Sequence, residues 1–479
     1  MGVAWVGIES HVMQSAGTGG EPETGGGPDL EAAWSRLEGL IDWERRERKP
    51  GKRGQAMRVD LEPVRALAAV CGVPAHGQRF VHVSGTKGKG SVAALIAAGL
   101  GAAGIETLRY GSPHVERLHE RLVMYSPVAG GGVRGREVAD AELARGLHQA
   151  LDAREVALAA RAERPDADHP GAEATWFDVL TCAALVVMRE LKLEWGVFEC
   201  GLGGRLDSTN LIHGEVCVLT NVDLEHTEVL GDTRAAIAQE KVAIVEPGAT
   251  LVTGVRAEDP IADVLEAHVA ATAGAELVRP AVVGASGQTL AAENLALARA
   301  ALDALGAQGV LGGAVHPGRL SGALLTPGVV PVAALPGRLE VLDWEGLTVV
   351  LDGAHVPSSL AAVLGELGAR PGFERPPVVV FGSAKDKDTD GLLKVLAGHV
   401  DRLVCTSVGS QTAAPSEELV QNATRHALEA QSASSPRIAL DQARALCSEG
   451  DWLLVTGSLH LIGAVRPLVR PTPPPHAAC

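Results

Sequence analysis

Phe80-Val81-His82-Val83-Ser84-Gly85-Thr86-Lys87-Gly88-Lys89-Gly90-Ser91 carries an apolar run into a glycine turn with two lysines, and a helical pattern over 92–100 follows at once. Strand, glycine turn and helix together form the arrangement that holds nucleotide phosphates. Glycines permit the tight turn and let backbone N–H groups point inward. The helix start adds partial positive charge, and a lysine ammonium neutralises phosphate oxygens. The spacing departs from the general Walker pattern, because Gly90 separates Lys89 from the hydroxyl residue Ser91. Taken alone, the stretch also fits an ordinary strand-to-helix turn.

Working outward, 479 residues are too many for one ordinary core and suit two or three domains. The composition, 46% hydrophobic and 21% charged, is that of a globular chain, and with aromatics at only 3% its helices are expected to pack on Ala and Gly. A net charge of −16 argues against general nucleic-acid binding through the phosphate backbone. Against that background a lysine in a glycine turn gains meaning. The seven cysteines, Cys71, Cys182, Cys200, Cys217, Cys405, Cys447 and Cys479, form no CxxC pair and mostly sit in apolar runs. They read as small hydrophobes in a reducing, cytoplasmic compartment. The first 27 residues have no basic start and no apolar stretch of signal-peptide type, and no 18-residue apolar run predicts a membrane span.

Order is expected from Asp29, which can cap a helix running to Trp43; a basic loop follows over 45–53. Strands at 79–84, 105–110, 195–200, 216–221 and 250–253 alternate with helices at 91–103, 175–192 and 233–244, and a polar segment over 127–170 carries helical pattern over 139–161. A Gly/Pro-rich stretch, 312–336, interrupts the alternation. Beyond it, strands at 347–352, 377–382, 402–406 and 451–455 alternate with helices at 358–368, 389–398, 416–431 and 458–468. Strands separated by helices imply parallel βαβ units, hence an α/β chain.

Two further stretches sit at strand ends, where open α/β sheets bind ligands. Phe198-Glu199-Cys200-Gly201-Leu202-Gly203-Gly204-Arg205-Leu206-Asp207 presents a carboxylate before three glycines, well placed to hold Mg²⁺; a solvated loop acid is the other reading. Thr220-Asn221-Val222-Asp223-Leu224-Glu225-His226-Thr227 is followed by Glu240-Lys241 on an amphipathic helix. His226 alone fits a surface turn, and Lys241 alone fits a solvated helix face.

Together these stretches resemble the folylpolyglutamate synthase and dihydrofolate synthase family of the Mur ligase superfamily, over 29–470 and in the same order. The likeness includes Gly111-Ser112-Pro113-His114 with Glu120-Arg121, Thr175-Trp176-Phe177-Asp178 and Asp207-Ser208-Thr209-Asn210. It continues through Pro336-Gly337-Arg338, Leu351-Asp352-Gly353-Ala354-His355, Lys385-Asp386-Lys387-Asp388 and Val455-Thr456-Gly457-Ser458-Leu459. It implies a two-domain α/β fold: an N-terminal P-loop-type, mostly parallel sheet flanked by helices, and a smaller C-terminal Rossmann-like α/β domain. The implied division is a disordered tail (1–28), an ATP-binding central domain (29–315), a linker (316–335), a glutamate-ligase domain (336–470) and a second tail (471–479).

The resemblance also implies roles. Gly85, Thr86, Lys87, Gly88, Lys89, Gly90 and Ser91 would hold ATP, with Asn294 near the adenine and Arg338, Asp352 and His355 reaching across from the C-terminal domain. Ser112, Glu199 and His226 would ligate Mg²⁺, and K⁺ is a further candidate cation. Lys89, His226 and Lys241 would be catalytic, Lys241 as a carbamate. Pro113, His114, Arg121 and Phe177 would line the substrate pocket. The implied reaction is ATP-dependent amide formation between L-glutamate and a folate or dihydropteroate through an acyl phosphate, in a cytoplasmic monomer that binds neither nucleic acid nor membrane. Lys87 stands where many bacterial members carry asparagine, Val356 follows His355 where asparagine is frequent, and Glu293 precedes Asn294 where glutamine or histidine is usual. These departures bear on adenine contacts and on the pterin substrate. The alternatives are another Mur-type amino-acid ligase acting on a cell-wall precursor or similar acid, an inactive nucleotide-binding module, and an unrelated P-loop protein, against which the stretch Asp352–His355 speaks.

Overall fold

Hydrophobic runs of four to six residues build the interior strands of two sheets, and the chain direction is the same in most of their strands. The computed structural model describes residues 29–40, 60–129, 132–281, 289–314, 316–400, 402–410 and 412–470. The expected terminal tails and the basic loop at 45–53 lie outside these residues.

The first sheet contains β1 (Arg79–Ser84), β2 (Thr107–Tyr110), β3 (Leu122–Pro127), β4 (Val133–Glu137), β5 (Trp195–Glu199), β6 (Gly214–Leu219), β7 (Thr250–Thr253) and β8 (Glu276–Val278). Their order is β4-β3-β2-β5-β1-β6-β7-β8, and all run parallel except β3, which is antiparallel to both β2 and β4. The second sheet contains β9 (Glu340–Trp344), β10 (Leu347–Leu351), β11 (Val378–Phe381), β12 (Arg402–Thr406), β13 (Glu429–Ala433) and β14 (Trp452–Thr456). It is ordered β13-β12-β11-β14-β10-β9, and only the edge strand β9 is antiparallel. The expected two-part α/β architecture is therefore present. Among the described residues no helix is long and apolar enough to cross a membrane.

The helix Lys89–Ala102 is apolar or small on every side, the signature of a helix buried all round. Gly99 lies against Leu302 and Leu325, and Gly101 against Val133 and Tyr125, so a side chain at either would collide with the core. Part of the Gly/Pro-rich stretch 312–336 packs on this core. Leu320, Leu325, Val329 and Ala333 are buried in the same core as Ile96 and Leu100.

Several elements differ from expectation. The hairpin β3–β4 and the strands β8, β9 and β13 were not anticipated. The expected helix over 416–431 ends at Arg425; Ala427 adopts φ 58°, and the chain then pairs as β13 with β12. A helix at Pro436–Leu446 follows. These strands lie at or near sheet edges, where one side needs no apolar partner, so their sequences lack the hydrophobic run that marks a central strand. Asp29 does cap the first helix, Leu30–Glu38, accepting from the Glu31 N–H at 2.9 Å.

Candidate active site

Parallel register gathers the three motifs. Val83 of β1 pairs with Glu199 of β5, and Ser84 pairs with Leu219 of β6, so three segments leave the sheet side by side. The turn after β1 is then clasped by the end of β6. Thr220 Oγ1 donates to the Lys87 carbonyl at 2.6 Å, Asn221 Nδ2 donates to the same carbonyl at 3.0 Å, and the Lys87 N–H donates to Asn221 Oδ1 at 2.9 Å. Thr86 Oγ1 accepts from the Asp223 N–H at 3.1 Å. Gly88 has φ 82°, and a Cβ there would run into Asn294 Oδ1, so both conformation and space call for glycine.

Two lysines converge on this turn. Lys89, the first residue of its helix, donates from Nζ to the carbonyls of Gly85 at 3.1 Å and Thr86 at 3.3 Å. Lys241, on the helix Arg234–Val242 and only 2% exposed, donates to the same Gly85 carbonyl at 2.8 Å. Burial, and then the charge of Lys89, pull the Lys241 ammonium down to about 8 from its ordinary value, against the opposing pull of Glu225, Cys200 and Asp207. A buried lysine of this kind releases a proton far more readily than one on a solvated face.

Glu199 is buried, and its Oε2 accepts the Ser112 N–H at 3.2 Å. Burial raises its pKa, while Lys89, Arg109, the Ser112 N–H and Arg338 favour its charged form. His226 sits in left-handed conformation (φ 49°, ψ 41°) just before the short helix Thr227–Leu230, with Nε2 3.5 Å from Glu225 Oε1. Among the described residues no three His, Cys, Asp or Glu side chains gather into a metal cluster. A hard cation such as Mg²⁺ needs only one or two carboxylates when phosphates and waters complete its shell. The buried carboxylate of Glu199 at a strand end, beside Ser112, fits that demand.

Beneath this surface a polar network holds the glycine loop that follows Glu199. Asp207 accepts the Leu202 N–H at 2.7 Å and the Thr209 N–H at 3.0 Å. Thr209 Oγ1 lies 2.8 Å from His82 Nε2, which lies 3.1 Å from Cys200 Sγ. Burial pushes the His82 imidazole down to about 3, so it is neutral at physiological pH. On the other side of the loop, the Arg205 N–H donates to the Glu240 carbonyl at 2.8 Å and its side chain pairs with the Glu240 carboxylate at 2.9 Å. Glu199 and Lys241 are thus tied to one loop from two directions.

The second sheet contributes Arg338, Asp352 and His355. Asp352 is buried, and its two oxygens accept the Leu339 N–H at 2.8 Å and the Ala354 N–H at 2.9 Å. It fixes the turn that carries Arg338, whose charge acts on Glu199 as well as on Asp352. Burial lowers the pKa of His355, which faces Arg338, Lys387 and Glu225, while Nδ1 contacts the Gly353 carbonyl at 2.9 Å.

The residues expected to line the substrate pocket divide into two kinds. Glu120 accepts the N–H groups of Val115, Glu116 and Arg117 and so shapes the turn holding Pro113 and His114. Arg121 is 1% exposed, donates from Nε to His114 Nδ1 at 2.8 Å and lies 4.8 Å over the Trp176 ring. It stands behind His114 as a support. Phe177 leans on Tyr110 at 6.0 Å between ring centroids and abuts Gly201. The motif reading passed over Arg109, a buried strand residue acting on Glu199, and Glu225, which lies in the field of both Lys241 and His355. A charged residue inside an apolar strand was the available signal for Arg109.

Residues 337–459 match the family model described as Mur ligase, glutamate ligase domain. The dihydrofolate synthase/folylpolyglutamate synthase of Escherichia coli is 30% identical over 426 residues, which cover 85% of this chain and 91% of that protein. A Haloferax volcanii protein, described as a probable bifunctional folylpolyglutamate synthase/dihydropteroate synthase, is 31% identical over 462 residues; the chain spans about half of its length, 49%. Among solved structures, E. coli FolC in complex with DHPP and ADP superposes with a TM-score of 0.71 at 26% identity, covering 92% of this chain and 97% of that one. The Yersinia pestis enzyme with Mn, AMPPNP and L-glutamate bound gives 0.67 at 27% identity, covering 92% and 98%. The class is therefore that of the Mur-type ligases. Within it, the chain belongs to the dihydrofolate synthase/folylpolyglutamate synthase family.

Proposed function

We propose that the protein is an ATP-dependent ligase that joins L-glutamate to a folate, as a folylpolyglutamate synthase, a dihydrofolate synthase or both. The observation that carries this reading is the convergence of Lys89 and Lys241 on the Gly85 carbonyl, beside a buried Glu199 at the neighbouring strand end. In this reading residues 29–315 and 336–470 work as two lobes joined by 316–335, in a cytoplasmic monomer.

The turn 85–91 and the Lys89 ammonium would hold nucleotide phosphates, with Asn294 near the base. Glu199, Ser112 and His226 would hold Mg²⁺, which when bound neutralises phosphate charge. Lys241, with its pKa near 8, keeps about one molecule in ten as free amine at pH 7. That amine can add CO₂ and release a proton, and the resulting carbamate carries negative charge where an ammonium would repel a cation. Arg338 stabilises charge that builds on the transferring group. The acceptor carboxylate takes the terminal phosphoryl group and ADP leaves. The amine of glutamate then attacks the acyl carbon, phosphate departs and a proton is released, leaving an amide. Alignment and charge neutralisation suffice for the first step, with no protein nucleophile. Closure of the lobes keeps water from the acyl phosphate.

The test is ADP release by the full chain with L-glutamate and, in turn, dihydropteroate, tetrahydrofolate or a cell-wall amino-acid precursor. Turnover with either pterin acceptor is expected. Turnover with the cell-wall acid alone would move the protein to another Mur-type activity.

A further inference from the structure

Lys87 and Lys89 sit two residues apart in the same turn, yet their side chains go different ways. Lys89 curls back onto the turn's own carbonyls. Lys87 has its backbone N–H and carbonyl fully engaged by Asn221 and Thr220, and its side chain leaves the turn altogether. Its Nζ donates to Ser358 Oγ at 2.5 Å and lies 3.6 Å from Asp223 Oδ2. Ser358 belongs to the C-terminal lobe, in the first turn of the helix Pro357–Gly368 that starts directly after Asp352–His355.

That helix touches the other lobe a second time. Glu366 Oε2 accepts the Ala291 N–H at 3.4 Å, while its other oxygen pairs with Arg370. Ala291 lies in the first turn of the helix Leu290–Ala307, which carries Asn294 against Gly88. Ser358 and Glu366 are eight residues apart, about 12 Å along the helix axis. Two contacts at that spacing fix the orientation of a helix where one would leave it free to pivot.

We propose that Lys87 is an interlobe positioning residue: through Ser358 it docks the helix Pro357–Gly368, and with it Asp352 and His355, onto the phosphate turn. The inference rests on the ligase reading above and assigns Lys87 to docking instead of to phosphate. Helix N-termini carry partial positive charge, so the ammonium meets an unfavourable dipole at Ser358 that Asp223 offsets. The contact is consequently modest and reversible, as a closing element must be.

The experiment is a double-mutant cycle on the full chain with Lys87→Ala, Ser358→Ala and their combination, reading kcat and KM for ATP in the presence of a productive acceptor. Each single change is expected to lower kcat about three- to tenfold, the range of one hydrogen bond, with KM for ATP within about twofold. The double variant should be no worse than the poorer single, and Lys87→Arg should recover most of the rate. A tenfold rise in KM for ATP with Lys87→Ala and a silent Ser358→Ala would identify a phosphate ligand and overturn the proposal, as would multiplying effects. Amide exchange in 356–366 provides a readout independent of turnover. It should quicken about three- to tenfold in both single variants, and unchanged exchange overturns the latch even if the folate reading has itself failed with the wild-type protein.

Discussion

β1 and β10 are each an interior strand of its sheet followed by a turn of the candidate site, but the two turns are held in different ways. After β1 the candidate groups are backbone N–H groups and the lysines of the turn, which is held from outside by Thr220 and Asn221, just past the end of β6. After β10, Asp352 accepts the N–H groups of Ala354 in its own turn and of Leu339 in the turn before β9, and the candidate groups so mounted are the side chain of Arg338 and the ring of His355. In the proposed function the first turn would be a fixed cradle whose cations are already seated, and the second a mounting for groups that reach across. Phosphate binding needs many weak donors aimed at one place, which a pinned backbone gives. Charge that appears only on closure is better met by side chains arriving with a second lobe.

This contrast breaks first at the lysines. Lys89→Ala and Lys241→Ala should each lower kcat by about 10²–10³-fold, whereas Arg338→Ala should lower it by about tenfold. Equal losses at Lys89 and Arg338 in steady-state ADP release would erase the distinction. Lys241→Ala should regain part of its rate with a small added carboxylate, which can occupy the place of the proposed carbamate. No rescue at any concentration removes the carbamate from the mechanism.

A smaller effect is read as stability against pH in CO₂-free buffer. The unfolded lysine keeps its proton up to about 10.5, the ordinary lysine value, while folded Lys241 releases it near 8. Between those values the unfolded chain binds more protons, so wild-type stability rises with pH across that window; below pH 8 both states are charged and the cost of burial is constant. Relative to Lys241→Met, the wild type should therefore gain up to about 3 kcal/mol between pH 7.5 and 10.5. A flat difference in denaturant midpoints would mean that Lys241 is not buried as a cation at neutral pH.

The smallest effect separates two left-handed glycines. Gly372, in the C-terminal lobe, has φ 93° and open space where a Cβ would go; Gly88 has φ 82° and Asn294 in the way. Gly372→Ala should cost about 1 kcal/mol, from the backbone alone, and Gly88→Ala about 1–2 kcal/mol more. Thermal unfolding that ranks them equally would show that the Asn294 contact yields without resistance.

Much of this was legible in the chain. β1, β5, β6, β10, β11, β12 and β14 carry apolar runs because both their faces are covered, and alternation with helices implied parallel sheets. The hairpin β3–β4 and strand β13 were not legible, because edge strands such as Val133–Glu137 mix glycine and charge. At the candidate site, Lys89, Glu199 and Lys241 could be picked from their motifs. The supporting role of Arg121 could not, since burial over Trp176 is decided by distant packing, and Ser358 carried no motif at all.

Sequence alone settled the kind of chain and the chemical inventory: two α/β units, a glycine turn with lysines, acids at strand ends. Those follow from local rules, the period of apolar residues and the conformations that glycine permits. Only the tertiary structure decided which groups meet. Register between β1, β5 and β6 brought residues 85, 199 and 220 together, burial lowered the pKa of Lys241, and the approach of the second lobe sent two neighbouring lysines in opposite directions. Those outcomes depend on dielectric surroundings and on contacts between residues hundreds of positions apart, which no local pattern encodes.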